Sequence, residues 1–300
     1  MAMMDSLSAN EIVVVTGSSG CLGHQTVRLL IDRDDSVREV RCLDLIAPVG
    51  EMKRAIEAEL DKTEARLGFR KLIRYVQGDI RDINVVEQVL DSADCVIHCA
   101  ARVDFWTDAA QQNAEELESV NIHGTENLLK ACIRLGVSKF VHVSSFEVFT
   151  SYHTIYYATE STIPEPKYLL FGASGATKKG AEEKVRQYSN VKLKNVKKQT
   201  MSSNESSESI ETKRQQQQRK LRDSLNAVII RFTPIYGEHD KYYVSKILKI
   251  TKFFGGKLQR FTNIWIRQQP IYVGNAAWSL VKAKQRMDLD ESISGEGKSS

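Results

Sequence analysis

The strongest indication of the fold is the segment Glu11-Ile-Val-Val-Val-Thr16-Gly17-Ser-Ser-Gly20-Cys-Leu-Gly23. It joins a run of β-branched residues to a glycine loop, and the helical spacing of Leu22–Ile31 follows directly. Gly17 allows a tight turn, Gly20 lets the backbone approach a pyrophosphate, and Gly23 lets helix and sheet pack closely. A strand, a glycine loop and a helix in this order predict a dinucleotide site at the helix N-terminus. A plain turn is the alternative interpretation.

An acidic residue at the end of the next strand-like run, Val40–Leu45, supports the same prediction. Asp44 lies about 20 residues after the glycine loop, where a carboxylate can accept both adenosine-ribose hydroxyls and repel a 2′-phosphate. Leu45 follows it, and no adjacent Arg or Lys could pair with that phosphate. The sequence therefore favours NAD over NADP, although Asp44 could instead be an ordinary turn residue at a strand end.

Short apolar runs alternate with helical segments through the first half of the chain. Continuous apolar runs predict strands that are buried on both faces, and strands alternating with helices predict parallel crossovers. We therefore expect an α/β fold, a doubly wound parallel sheet of the Rossmann type with a small C-terminal substrate-binding part. Further strands and helices are predicted at Lys71–Gln77, Ile83–Leu90, Cys95–Ala100, Glu115–Leu135, Lys139–Ser144, Thr177–Tyr188, Asn226–Phe232 and Tyr242–Phe254.

Composition excludes several classes of protein. The 300 residues are 42% apolar and 27% charged, which is typical of a soluble globular chain. Val191–Arg222 has nine Lys/Arg against three Glu, a net charge of +6, so the remainder of the chain carries −2 of the total of +4 and no nucleic-acid partner is expected. No apolar run approaches the roughly 18 residues of a membrane span, and Met1–Asn10 does not resemble a secretory signal. The five cysteines predict reduced thiols in the cytoplasm, with no metal site.

Residues at the ends of later strands are candidates for contact with the dinucleotide. Asp79 ends the third strand, where an adenine ring would lie, although a capping role is an equal alternative. Ala100 ends the fourth strand, where a small residue lets the cofactor lie close to the backbone. His98, inside that apolar strand, is expected to be a hydrogen-bonded core histidine. Asn121 interrupts an amphipathic helix and could anchor a backbone carbonyl or a water molecule.

The motifs TGSSGCLG, LDL, GDI, CVIHCAA, VNIHGTENLL and VSSFEV, in this order, resemble the extended short-chain dehydrogenase/reductases. Arg231–Glu238 and Arg267–Trp278 are similar to segments of the 3β-hydroxysteroid dehydrogenase/isomerase branch, and the likeness covers roughly residues 10–190 and 225–296. The resemblance implies an NAD-dependent oxidoreductase of steroid metabolism and biosynthesis. It would act on the CH–OH group of a 3β-hydroxysteroid, with 5-ene to 4-ene isomerisation as an optional second step.

The resemblance also assigns roles to single residues, and one of them departs from the family. Ser145 falls on the serine that binds the substrate oxygen, and Lys178 falls on the lysine that holds the nicotinamide ribose. The acid/base tyrosine of the family stands four residues before that lysine, and here the position is Ser174. Tyr168 could substitute if its loop folds back towards Lys178; otherwise the chain is a weak enzyme or an NAD-binding regulator or scaffold. Arg267 is expected to line the substrate or cofactor side, or to fix the C-terminal part through an ion pair.

The predicted organisation follows from the same comparison with the family pattern. It has an N-terminal tail (1–10), an NAD-binding Rossmann domain with the catalytic helix (11–190), a low-complexity insertion (191–223), and a last sheet strand with a truncated substrate-binding part (224–300). We expect a steroid or sterol as the small-molecule partner and a homodimer as one option for assembly. The expected location is cytoplasmic, and the resemblance adds peripheral association with the endoplasmic reticulum membrane.

Overall fold

A parallel sheet of six strands is the centre of the computed structural model, which describes residues 10–103, 113–151, 159, 162–163, 166–194, 223–257 and 269–293. The strands are β1 (Glu11–Thr16), β2 (Val37–Asp44), β3 (Leu72–Gln77), β4 (Cys95–His98), β5 (Lys139–Ser145) and β6 (Asn226–Phe232). Their order is β3-β2-β1-β4-β5-β6, and every pairing is parallel. This confirms the predicted doubly wound sheet. The order reverses between β1 and β4, and ligands of such sheets bind at the carboxyl edge beside that point.

Helices connect these strands at nearly all of the predicted places. They are α1 (Cys21–Arg33), α2 (Gly50–Leu67), α3 (Ile83–Leu90), α4 (Ala114–Glu118), α5 (Thr125–Leu135), α6 (Gly172–Tyr188), α7 (Val244–Phe253) and α8 (Val273–Ile293). In the part of the chain that is described, no helix combines the length and apolarity needed to cross a membrane. A second, two-stranded parallel sheet pairs β7 (Ile235–Tyr236) with β8 (Ile271–Tyr272).

Two helical segments differ from the prediction. The stretch Glu115–Leu135 was expected to be one helix, but α4 and α5 are separated by a π-helical segment, Ser119–Gly124. Wide turns of this kind are frequent at functional sites. The helix α6 begins five residues before the predicted start at Thr177. The glycines in its first turns have weak helix propensity, so the sequence does not predict a helix there. Tertiary contacts override that propensity in the folded chain.

The core lies on both faces of the sheet, as continuous apolar strands require. Val13 and Val15 of β1 point to the face covered by α1 and α8, whereas Val14 points to the face covered by α3 and α5. All three side chains are fully buried. Both faces of the parallel sheet are therefore shielded from solvent, and we expect a ligand to bind at an edge of the sheet.

The C-terminal helix α8 packs against α1 and carries a buried lysine at the amino edge of the sheet. Lys284 Nζ donates to Ser36 Oγ at 2.8 Å and pairs with Asp34 at 3.1 Å and with Glu11. Glu11 also pairs with Lys139 at the start of β5. This cluster of ion pairs fixes α8 to the beginning of two strands.

The residues on either side of the predicted insertion, between α6 and β6, pair with each other. Residues 195–222 lie outside the described part, but Lys192 and Ser224 form an antiparallel bridge at its two ends. The Leu193 amide donates to the Asp223 carbonyl at 2.8 Å. β6 then completes the main sheet beside β5, while the domain bounds at 190 and 223 stay a prediction.

Candidate active site

The glycine loop between β1 and α1 has no room for side chains at two of its three glycines. Gly17 has a φ of +67°, and a Cβ there would lie 2.7 Å from the Ala100 backbone. A Cβ on Gly23 would lie 2.0 Å from the Gly17 carbonyl oxygen, whereas one on Gly20 would meet only that oxygen at 3.2 Å. Gly17 thus makes the turn, and Gly23 lets the helix approach it. Gly20 is the N-cap residue of α1.

The carboxylate of Asp44 lies directly against this loop. Asp44 Oδ2 accepts the Ser19 amide hydrogen at 2.9 Å, and Oδ1 accepts that of Ile46 at 3.2 Å. The Ser19 hydroxyl donates to the Ile46 carbonyl at 2.6 Å. The loop after β1 and the loop after β2 are therefore joined at the position where the sequence predicts the adenosine ribose.

His98 and its neighbours form a closed polar network under the loop. Its ring nitrogens are hydrogen-bonded to Thr16 Oγ1 at 2.7 Å and to Thr125 Oγ1 at 2.9 Å. Thr16 Oγ1 also accepts the Ala100 amide hydrogen at 3.2 Å. Burial holds the pKa of His98 well below its ordinary value, so the ring is neutral. This confirms the prediction of a satisfied core histidine.

Lys178 is buried beside the ends of β4 and β5. It is 6% exposed, and its Nζ donates to the Val143 carbonyl at 3.5 Å. Burial lowers the pKa of Lys178 below its ordinary value, although the charges of Glu147 and Glu182 oppose the shift. Cys99 precedes the alanine that packs on Gly17, so the lysine and the glycine loop share the carboxyl edge of the sheet.

Ser145 and Ser174 meet on one carboxylate. Glu147 Oε1 accepts the Ser145 hydroxyl hydrogen at 2.9 Å, and Oε2 accepts that of Ser174 at 2.6 Å. Glu147 lies in the short 3-10 turn Phe146–Val148 that directly follows β5. A Cβ on Gly175 would lie 2.9 Å from the Glu147 carbonyl oxygen, so that glycine allows α6 to approach this turn. The two serines chosen from the sequence are thus brought together, with an acid between them.

Asn121 connects the π-helical segment to the helix that carries Lys178. Its amide group donates to Thr177 Oγ1 at 3.1 Å and to the Arg102 carbonyl at 3.0 Å. Its Oδ1 accepts the Arg102 amide hydrogen at 2.8 Å. The expected anchoring of a backbone carbonyl by Asn121 is therefore confirmed, and the anchored residue is Arg102.

Three other sequence candidates have different outcomes. Asp79 pairs with Arg81 two residues on, at 2.6 Å, so its contact with an adenine ring stays a prediction. Tyr168 is 69% exposed and its ring lies 5.7 Å from Lys167 Nζ, an environment unlike the buried one of Lys178. Arg267 lies outside the described residues.

Two buried acids of the site, Glu147 and Glu182, were not predicted from the sequence. Glu182 accepts hydrogen bonds from Ser144 Oγ at 2.6 Å and from both Nε and Nη2 of Arg231 at 2.8 and 2.7 Å. It thereby ties α6 to β5 and β6. The available signal for Glu147 was an isolated charge within the apolar run Phe146–Phe149, because such a charge needs a partner when it is buried.

The topology and the glycine loop define a class of protein, the Rossmann-type chains with an extended short-chain dehydrogenase fold. The dTDP-glucose 4,6-dehydratase DesIV of Streptomyces venezuelae has a TM-score of 0.61 at 22% identity, with 95% of this chain and 72% of that chain covered. The UDP-glucose 4-epimerase of Thermus thermophilus has a TM-score of 0.60 at 21% identity, with 91% and 74% covered. At these identities the likeness concerns the fold.

The chain belongs to the 3-beta hydroxysteroid dehydrogenase/isomerase family, whose model matches residues 14–203 and 201–297. This confirms the resemblance found in the motifs, and the family consists of oxidoreductases that use NAD. The 3 beta-hydroxysteroid dehydrogenase/Delta 5-->4-isomerase of Vaccinia virus (strain Copenhagen) is 29% identical over 91% of this chain. The human 3 beta-hydroxysteroid dehydrogenase type 7 is 28% identical over 98% of it. The chain spans 66% of the viral relative and 69% of the human one.

The residues present fit the coenzyme of the family. A Cβ at Gly17 or Gly23 would meet backbone atoms, so the loop is thin, and no side chain caps the start of α1. The first N–H groups of a helix have no partner within it and can bind phosphate. Asp44 ends β2, the position at which a carboxylate would bind the adenosine ribose. Within the described residues, no group of three or more His, Cys, Asp and Glu side chains could hold a metal ion.

Proposed function

We propose that this protein is an NAD-dependent oxidoreductase that oxidises the CH–OH group of a 3β-hydroxysteroid or sterol. The observation that carries the proposal is the common edge shared by the glycine loop, Asp44, Lys178 and Ser145. The coenzyme would supply a hydride acceptor at this edge, and a hydroxyl group on the substrate is the matching donor. The names of the relatives support the steroid as the substrate class.

The roles of the residues follow from their positions. The backbone at Gly17, Gly20 and Gly23 would bind the pyrophosphate, and Asp44 the adenosine ribose. Lys178 would hold the nicotinamide ribose, and the Ser145 hydroxyl would bind the substrate oxygen. We include Asp79 on the adenine side, Ala100 where the cofactor lies close to the backbone, and Arg267 on the substrate side.

The test combines binding with turnover. Calorimetric titration with NAD+ and NADP+ measures coenzyme affinity, and absorbance at the NADH band follows oxidation of a panel of 3β-hydroxysteroids. The matched control is the 3α-epimer of each steroid, which presents the same apolar surface with its hydroxyl group misplaced. NAD+ binding with oxidation of the 3β-epimers alone is the expected result. The absence of heat with either coenzyme would refute the assignment.

A catalytically impaired NAD-binding regulator or scaffold is the second candidate function. The specific observation in its favour is Ser174, because a serine hydroxyl has neither the acidity nor the reach of the family's tyrosine phenol. Losing a positioned acid/base group costs roughly 10²–10⁴ in rate. Tight NAD+ binding without oxidation of any steroid in the panel would favour this function.

Two further parts of the proposal concern location and assembly. The cysteines favour a cytoplasmic location, the family resemblance adds peripheral association with the endoplasmic reticulum membrane, and we propose a homodimer as the assembly. Cell fractionation and light scattering would test them separately.

A further inference from the structure

Glu147 is a buried carboxylate that the proposed roles leave unused. It is 1% exposed, and each of its two oxygens accepts a hydrogen bond from a serine hydroxyl. One serine is the proposed ligand of the substrate oxygen, Ser145, and the other stands where the family has its acid/base tyrosine, Ser174. The carboxylate therefore occupies the space between the substrate-binding group and the place of the missing phenol.

We propose that Glu147 is the proton acceptor of the oxidation and that it acts through Ser145. This inference rests on the proposed function. A serine hydroxyl can pass a proton on but cannot keep the negative charge that a phenol keeps when it loses one. A carboxylate at 2.9 Å from that hydroxyl can take the proton, because this is an ordinary hydrogen-bond distance for transfer. Because Glu147 acts through Ser145 and does not need to touch the substrate, we call it a positioning residue.

The proton and the electrons balance along this route. The carbinol C–H bond breaks, and its two electrons leave with the hydrogen as a hydride to the oxidised coenzyme. The carbinol O–H proton moves to Ser145 Oγ while the hydroxyl proton of Ser145 moves to Glu147 Oε1. The products are a ketone, the reduced coenzyme and a protonated Glu147. The proton returns to solvent through Ser145, which is only partly buried, once the ketone has left.

The environment of Glu147 differs from that of a carboxylate with a purely structural role. Glu182, on the same helix as Lys178, is fixed by ion pairs with Arg231 and Arg186. Among the described residues, no arginine or lysine forms an ion pair with Glu147, and its hydrogen bonds come from hydroxyl groups. The charge of Lys178 still interacts with it and offsets part of the cost of burial. Hydroxyl partners can exchange protons with the carboxylate, whereas fixed cations would hold it ionised.

The test is Glu147→Gln, which keeps the size of the side chain and removes its ability to accept a proton. We expect a fall in kcat of roughly 10²–10⁴, with KM and the NAD+ dissociation constant within about threefold of the wild type. The acid limb of the kcat profile against pH should disappear in this variant. Glu147→Asp should restore part of kcat and keep the acid limb. Glu126→Gln is the matched control, since Glu126 accepts hydrogen bonds from Tyr188 and Lys184 away from the site, and its kcat should match the wild type.

Each outcome decides between the inference and the proposed function. Full activity of Glu147→Gln would overturn the inference and leave the proposed function intact. A lower kcat with an unchanged acid limb and no rescue by Glu147→Asp would show a structural role and would also overturn it. If Glu147→Gln no longer binds NAD+ and shows no thermal unfolding transition, it has not folded. The pH profile of Glu147→Asp then decides the test. A wild type that binds NAD+ and oxidises no 3β-hydroxysteroid would overturn both.

Discussion

A single methyl group added at Gly23 should damage both the stability of the protein and its binding of NAD+. The added Cβ would lie 2.0 Å from the Gly17 carbonyl oxygen, about 1.4 Å short of the 3.4 Å at which ordinary contact begins. The Gly17 carbon and the Ser18 Cα lie at 2.7 and 2.9 Å from the same Cβ, so the clash is with backbone. Gly17 cannot move away freely because Ala100 confines it from the other side. Overpacking of this kind costs roughly 1–3 kcal/mol and occasionally more.

The expected results for Gly23→Ala follow from that cost. At roughly 2–4 °C for each kcal/mol, a cost of 1–3 kcal/mol should lower the thermal midpoint by about 2–12 °C. The NAD+ dissociation constant should rise by at least about 100-fold, equal to about 2.8 kcal/mol, because the displaced loop can no longer present its amides to the phosphates. Differential scanning calorimetry and isothermal titration measure the two quantities. A Gly23→Ala variant with the thermal midpoint and the NAD+ dissociation constant of the wild type would refute the close packing of loop and helix.

Gly20→Ala is the control for this experiment. Gly20 has a φ of −77°, which any residue adopts, and its added Cβ would meet only one protein atom, at 3.2 Å. We expect its thermal midpoint to stay near that of the wild type. Any loss of NAD+ affinity in Gly20→Ala then reports the approach of the coenzyme itself and not damage to the fold.

Asp44→Ala removes the acceptor of the Ser19 amide hydrogen at 2.9 Å, so calorimetry should show a roughly 10–100-fold loss of NAD+ affinity and a smaller preference over NADP+. An unchanged ratio of the two affinities would contradict the role of Asp44. Burial raises the pKa of Glu11, but Lys139 and Lys284 outweigh it and lower the value from 4.5 to about 2. Because the folded pKa is the lower one, its stabilisation of about 3 kcal/mol is complete above pH 4.5 and lost as the pH falls towards 2. Urea unfolding over this pH range should show a steeper loss in the wild type than in Glu11→Gln, and parallel curves would argue against the ion pairs. Ser174→Tyr returns a phenol to the position four residues before Lys178, so turnover measured at the NADH band should rise at least about tenfold. No gain would argue against placing Ser174 at the family's tyrosine position.

The sheet and the glycine loop could be predicted from the sequence alone. Glu11–Thr16 and Asn226–Phe232 are strands with the predicted bounds, as their short apolar, β-branched runs indicate. The glycines and Asp44 could be identified from the sequence as candidate coenzyme-binding residues, because the turn, the start of the helix and the end of the strand are all local features. Ser145 and Lys178 were placed by the motifs around them.

The contacts of those residues depend on how the folded chain packs. Ser145, Glu147 and Ser174 share hydrogen bonds because α6 packs against the turn after β5, and the early start of that helix was itself hidden by its glycines. The π-helical segment and the pairing of Lys284 with Glu11 are likewise invisible in a local pattern. The physical reason is that a buried charge or hydroxyl takes the partner that the packed chain brings to it, and the spacing along the sequence does not encode that partner.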